Sequence, residues 1–249
     1  MRISGIIPSR WGSTRFPGKS LHPICGKPLV IRVVEAVLRA KGLDEVLVAT
    51  DDPRIAEVVT GSGARVVMTR SDHPSGTDRV AEAANPADDD DIIINIQGDE
   101  PLIEPALIEQ LADCLKNNSA LDMATAACPL TTRRELELRS VVKVVLDRED
   151  RALYFSRLPI PCRRDGEPDL DSGLYLRHLG IYAYRGIFLK KLVNEPPCAL
   201  ELTESLEQLR ALFIGGRIGV VKTAHQGVGV DTPEDVAYVE AALKSRGLA

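Results

Sequence analysis

Three cations, Arg10, Arg15 and Lys19, fall within a short stretch near the start of the chain, among Gly12, Ser13, Thr14 and Gly18. Glycines and small hydroxyl residues let backbone N–H groups come close to a phosphate, and guanidinium and ammonium groups meet its charge. The stretch is neither a Walker A loop nor a dinucleotide fingerprint, because GxxxxGK[ST] in register before a helix and GxGxxG are both missing. Taken alone it reads either as a polyphosphate cradle or as a basic surface loop. Asp99 follows an apolar run in Asn95-Ile96-Gln97-Gly98-Asp99-Glu100. A carboxylate there, beside a glycine, suits a hard divalent cation, and magnesium takes one or two protein carboxylates and completes its shell with phosphate oxygens and water. Asp231 precedes Thr232-Pro233-Glu234-Asp235. Those four residues read as a helix cap, with Thr232 at N-cap, Pro233 at N1 and Asp235 closing a box. That cap does not require Asp231. Each aspartate therefore reads as a metal ligand or as a turn residue.

Further polar stretches carry the same ambiguity. In 73–79, Ser75 or Thr77 reads as a helix N-cap, or the loop reads a nucleotide base. Arg157 follows an aromatic pair, Tyr154-Phe155. His178 and Tyr182 lie four residues apart and so on one face of a strand. Glu201, Glu204, Glu207 and Gln208 read as the polar face of a helix over 201–213, with Leu202, Leu206, Leu209 and Phe213 opposite.

The elements that must position these residues alternate. Apolar runs at 3–7, 45–50, 65–68, 91–96 and 121–128 read as strands. The spacing between them predicts helices over 28–40, from Pro53, over 77–84 and over 104–115. Alternation of this kind gives an α/β fold with a mostly parallel central sheet and helices on both faces. Ligands bind at the carboxyl ends of such strands, where the basic stretch, Asp51-Asp52, the 69–79 loop and Gln97–Glu100 all fall. The second half is less regular, with strands at 141–146, 178–184 and 217–222, a final helix over 233–243, and a polar insertion at 163–175.

Composition sets limits. With 249 residues and 44% hydrophobic content the chain can bury a core as a single domain with a small annex. A net charge of -5 argues against a nucleic-acid polymer as partner, because a polymer surface needs a basic stripe. No apolar run reaches the ~20 residues of a membrane span, and the first residues are too briefly apolar for a signal peptide, so the expectation is a cytoplasmic protein without membrane insertion. Five cysteines with no CxxC point to reduced thiols, not to a disulfide framework or a zinc site.

Together these segments resemble the 3-deoxy-manno-octulosonate cytidylyltransferases, the CMP-Kdo synthetases of lipopolysaccharide-making bacteria. The resemblance spans nearly the whole chain. It rests on IIPSRWGSTRFPGKSL at 6–21, VATDD at 48–52, DHPSGTDR at 72–79, NIQGDEPLI at 95–103, VKVVLDRE at 142–149, ALYFSR at 152–157, RHLGIYAYR at 177–185, ESLEQLR at 204–210 and GVDTPED at 229–235. It implies a glycosyltransferase-A-like fold with a core over about 1–130, a sugar-binding and dimerisation annex over about 131–215 and a return to the core over 216–249. It implies a homodimer, CTP and 3-deoxy-D-manno-octulosonate (Kdo) as substrates, and Mg2+ as cofactor, bound by Asp99 and Asp231. Pro8, Arg10, Ser13, Arg15 and Lys19 would meet the CTP phosphates, with Arg15 and Lys19 offsetting charge on the leaving pyrophosphate. Ser75, Gly76, Arg79 and Gln97 would hold the cytidine. Arg157, His178, Tyr182, Glu207 and Gln208 would line the sugar pocket, with Arg157 facing the sugar carboxylate. Cys162 stands where many relatives carry an aromatic residue. A synthetase for neuraminic acid or 8-amino-Kdo would share the loop and the fold. A nucleotide-binding regulator would keep the basic loop but need no paired carboxylates.

Overall fold

The computed structural model describes residues 1–12, 16–86 and 88–249. Ser13 and Arg15, both expected at the phosphates, lie outside the described residues. The chain forms two compact units. One comprises Met1–Glu109 and Gly227–Ala249, and the other Gln110–Gln226.

The first unit holds four parallel strands. Its strands are β1 (Ile3–Pro8), β4 (Glu45–Thr50), β5 (Arg65–Met68) and β6 (Ile92–Asn95), in the order β6-β1-β4-β5. Strands β1, β4 and β6 are almost wholly buried, as continuous apolar runs in a parallel sheet require. Between β1 and β4 come a short hairpin, β2 (Pro23–Ile24) and β3 (Lys27–Pro28), and helix α1 (Leu29–Val37). The hairpin turn is Cys25-Gly26, both with positive φ (47° and 77°), the geometry a tight two-residue turn demands. Buried Arg32 of α1 ties this turn down. Its guanidinium donates to the carbonyls of Ile24, Cys25 and Leu248. Cys25 thus serves the turn through its backbone.

Helix α2 (Pro53–Val59) is capped by Asp52, whose carboxylate accepts from the Arg54 N–H, and has proline at its first turn. Helix α3 (Gly76–Ala84) is capped by Ser75, which accepts from Thr77 and Asp78. Helix α4 (Pro105–Lys116) runs across the division between the units. Helix α9 (Pro233–Ser245) begins with the expected capping box of Thr232 and Asp235.

The second unit is built on β7 (Met123–Pro129), β8 (Lys143–Leu146), β9 (Ala152–Ser156), β10 (Leu176–Arg185) and β11 (Ile218–Lys222). Its sheet is mixed. β7 pairs in parallel with β11 and antiparallel with β10, while β8 pairs antiparallel with β10 and with β9. These pairings group β7 with the second unit, which begins at Gln110 within α4.

Helices α5 (Arg133–Glu137), α6 (Gly186–Asn194), α7 (Ala199–Glu204) and α8 (Gln208–Phe213) complete the second unit. The single helix expected over 201–213 is two. Ser205 takes a left-handed conformation at φ 51° and ends α7, and Leu202 and Phe213 face solvent while Leu206 and Leu209 are buried. The 163–175 stretch is largely exposed, with Tyr175 packed beside Leu130 and Leu136. Among the described residues no helix is long and apolar enough to cross a membrane.

Lys143 is fully buried at the start of β8. Its ammonium donates to the carbonyls of Leu138, Val141 and Arg157, which fixes two loops onto one strand, and burial lowers its pKa. Lys143→Met leaves those carbonyls without their donor. The expected loss is about 3 kcal/mol, read as a lower urea midpoint with unchanged slope.

Candidate active site

In the first unit, the loops after β1, β5 and β6 and the segment before α9 enclose a cavity of about 360 Å³, within the range of small-ligand sites. Of the residues expected at a nucleotide, Pro8, Arg10, Lys19, Ser75, Gly76, Arg79 and Gln97 all line it, and so do Asp99 and Asp231. The charged centre is a trio. The Lys19 ammonium lies 2.7 Å from Asp99 Oδ2 and 3.3 Å from Asp231 Oδ1. Two oxygens that share one nitrogen are separated by no more than the sum of those distances, so the two aspartates converge.

Local structure explains the convergence. Gly98 sits where a Cβ would lie 2.5 Å from the Pro8 carbonyl oxygen. Only glycine lets the loop after β6 close against the end of β1, and that contact brings Asp99 beside Lys19. The Val230 N–H donates to the Asp99 carbonyl at 2.8 Å, which holds the Asp231 segment alongside. The Asp235 carboxylate accepts from the backbone N–H groups of Asp231 and Thr232. The cap is therefore complete without the Asp231 carboxylate.

The trio fits a divalent cation. One ammonium against two carboxylates leaves negative charge uncompensated within the trio, and both carboxylates supply the hard oxygens that magnesium prefers. Among the described residues no three His, Cys, Asp or Glu groups gather at a metal-sized position. An ion held here would complete its shell with oxygens from outside the protein, such as phosphate and water.

The other wall is held by helix capping and by a buried arginine. The Ser75 hydroxyl caps α3 and donates to Asp78, so it is engaged within its own turn while still facing the cavity. Arg79 is buried and joins two strand ends, donating to Thr69 Oγ1 and to Asp51 Oδ2 at 3.0 Å. His73, whose ring pairs with Glu82, also lines the cavity. It was not singled out from the sequence, although it sits inside the DHPSGTDR stretch.

A second cavity, of about 490 Å³, lies in the second unit. His178, Tyr182, Glu207 and Gln208 line it, with Arg177. The expected shared face of His178 and Tyr182 is closer than spacing alone gives. Strand β10 skips register between Leu179 and Tyr182, so His178 faces Ala127 and Tyr182 faces Thr125 on β7. The skip brings the two rings to 5.5 Å between centroids. Burial lowers the His178 pKa to about 3, so the ring stays neutral near pH 7. Burial, with the Glu207 charge, raises that of Tyr182 and keeps its phenol protonated. The Tyr182 hydroxyl lies 3.4 Å from Gln208 Oε1.

Arg157 sits beside this cavity, bonded to the carbonyl of Ser205, one of the lining residues. Its guanidinium donates to the carbonyls of Glu204, Arg139 and Ser205, and it is not among the residues that line this cavity. These bonds fix Arg157 at the α7–α8 break, and Arg177 brings a guanidinium to the cavity wall. Nor is the acidic face of 201–208 simply solvated. Glu204 accepts from Ser156 and from the Arg157 N–H, and Glu201 pairs with Arg210. An arginine next to a strand histidine was the available signal for Arg177.

Comparison with known proteins bears on these two cavities. The sequence model of the cytidylyltransferase family matches residues 4–218. A 3-deoxy-manno-octulosonate cytidylyltransferase of Geobacter sulfurreducens is 51% identical over 98% of this chain and 100% of its own length. The chain belongs to the 3-deoxy-manno-octulosonate cytidylyltransferase family. A second member, from Bdellovibrio bacteriovorus, is 46% identical over the full length of both chains. A solved structure of a CMP:2-keto-3-deoxy-manno-octonic acid synthetase complexed with CTP is 42% identical and superposes with a TM-score of 0.91 over 99% of this chain and 100% of that one. The fold alone extends further. A 4-diphosphocytidyl-2C-methyl-D-erythritol synthase from Anaerococcus prevotii, 18% identical, superposes with a TM-score of 0.65 over 98% of each chain. As in other members of this cytidylyltransferase family, the fold is α/β with a mostly parallel sheet.

The low pKa of His178 has a consequence for stability. The folded pKa, about 3, lies below the ordinary 6.5, so between these values the unfolded chain binds the extra proton. Stability then rises with pH across that window and is lost as pH falls from 6.5 towards 3, with a slope from this group of up to about 1.4 kcal/mol per pH unit. Urea unfolding at a series of pH values should show a shallower acid slope for His178→Asn than for the parent. Equal slopes would contradict the buried neutral ring.

Proposed function

We propose that this protein transfers CMP from CTP to the anomeric hydroxyl of Kdo, forming CMP-Kdo and pyrophosphate, with the first cavity holding the nucleotide and the second the sugar. The observation that carries this reading is the convergence of Asp99 and Asp231 on one cation position in a cavity that also holds Arg10 and Lys19. Full-length identity to cytidylyltransferases of this specificity supports the choice of substrates, as does the relative complexed with CTP.

Asp99 and Asp231 would hold Mg2+. When bound, that ion supplies charge neutralisation on the phosphates and a lower pKa for the attacking hydroxyl. The remaining work belongs to side chains. Lys19 and Arg10, with Arg15 from the same stretch, offset charge as pyrophosphate leaves. Pro8 and Ser13 meet the CTP phosphates, and Ser75, Gly76, Arg79 and Gln97 hold the cytidine. In the sugar cavity His178 and Tyr182 serve as hydrogen-bonding groups beside Glu207 and Gln208. Arg157 faces the sugar carboxylate from the edge of that cavity, with Arg177 on its wall as a second guanidinium. No covalent enzyme intermediate is needed, so catalysis consists of alignment and charge stabilisation.

A homodimer belongs to the same proposal. Leu153, Leu158, Leu200 and Leu202 of the second unit are exposed apolar side chains, which suit a subunit contact.

The test is pyrophosphate release on mixing CTP and magnesium with Kdo, 8-amino-Kdo or neuraminic acid in turn. Kdo should give the highest kcat/KM, and no release with any acid would end the proposal. Asp99→Asn removes charge without volume and should lower kcat at least about 100-fold at unchanged thermal stability. Lys19→Ala should raise the KM for CTP more than that for Kdo, and a change in the sugar KM alone would contradict its placement.

A further inference from the structure

Thr125 of β7 is fully buried. Its hydroxyl oxygen lies 2.8 Å from the Ile181 carbonyl, 3.2 Å from the Leu179 carbonyl and 3.0 Å from His178 Nε2. Both carbonyls come within reach because β10 skips register opposite Thr125, so the chain loops out at Gly180 and Ile181. A hydroxyl has one proton to give, and a carbonyl oxygen can only accept. With two acceptors waiting, the Thr125 proton goes to a carbonyl. The contact with the ring is then made the other way, with Nε2–H donating to the threonine oxygen. The hydroxyl therefore selects the tautomer.

We propose that Thr125 is a positioning residue for the acceptor sugar: it takes the Nε2–H of His178 and so leaves Nδ1 as a hydrogen-bond acceptor for a hydroxyl of the ligand in the second cavity. This rests on the reading of that cavity as the sugar site. The same imidazole in the other tautomer would present N–H at Nδ1, and a hydroxyl bound there would have to turn its proton elsewhere. The neutrality of the ring follows from its burial, so the choice lies between two neutral forms and a single threonine decides it.

Long-range 1H–15N correlation spectra of the substrate-free protein report the tautomer directly. The chain has four histidines, and the signal lost in His178→Asn assigns the relevant ring. The parent and Thr125→Ser should both show Nε2–H at His178, whereas Thr125→Val should show Nδ1–H or a mixture. In steady-state assays Thr125→Val should raise the KM for Kdo about tenfold, leave that for CTP within about twofold, and be rescued by Thr125→Ser. An Nδ1–H tautomer in the parent overturns the proposal even if the valine variant does not fold. So does an altered tautomer with an unchanged KM for Kdo. Failure of the parent to release pyrophosphate from CTP and Kdo would instead count against the proposed function, because the spectra need no substrate.

Discussion

One ammonium held between two carboxylates organises the nucleotide half of this protein. Asp99 and Asp231 are separated by more than half of the chain, and bringing their like charges together is unfavourable unless a cation stands between them. Lys19 is that cation in the structure. Much of the surrounding backbone serves the arrangement. Gly98 has no side chain because the Pro8 carbonyl already fills that space. The Val230 N–H fixes the Asp231 segment to the Asp99 carbonyl. Asp235 completes the helix cap, so the Asp231 carboxylate is left to the cavity. Side-chain exposure runs from 15% at Lys19 through 30% at Asp99 to 47% at Asp231. The trio is therefore reached from the Asp231 side, where a nucleotide could enter with its own charges.

The first unit was largely legible in the sequence because its signals are local and agree with one another. Apolar runs ending in polar loops placed β1, β4 and β6, and the rule that ligands gather at the carboxyl ends of parallel strands put Arg10, Lys19, Gln97 and Asp99 in one place. Pro53 as a first helical residue and the caps at Ser75 and Thr232 were readable for the same reason. The ambiguity at Ser75 resolves as a combination, since the residue caps its helix and lines the cavity. Asp231 was harder, because the motif around it explains itself as a cap, and only its distance to Lys19 shows that its carboxylate points to the shared centre.

The second unit was less legible because its decisive features are irregular. A register skip in β10 leaves no signature in composition, yet it brings the His178 and Tyr182 rings into contact and sets two carbonyls over Thr125. The break at Ser205 interrupts an apolar spacing that matches one continuous helix, so Leu202 and Phe213 face water where an unbroken helix would have turned them inward. Arg157 shows how tertiary bonds fix a side chain that residue type alone does not orient. Its guanidinium rests on three backbone carbonyls, an arrangement that composition gives no sign of. Strand pairing also groups β7 with the second unit, because β7 joins β10 and β11.

The central claim is that the carboxylates of Asp99 and Asp231 form one divalent-cation site that a nucleotide completes. Manganese binding followed by electron paramagnetic resonance, with and without CTP, tests it most directly. The account predicts that CTP strengthens manganese binding to the parent protein and that Asp99→Asn and Asp231→Asn each abolish this gain. Undiminished, CTP-dependent manganese binding in both variants would contradict it.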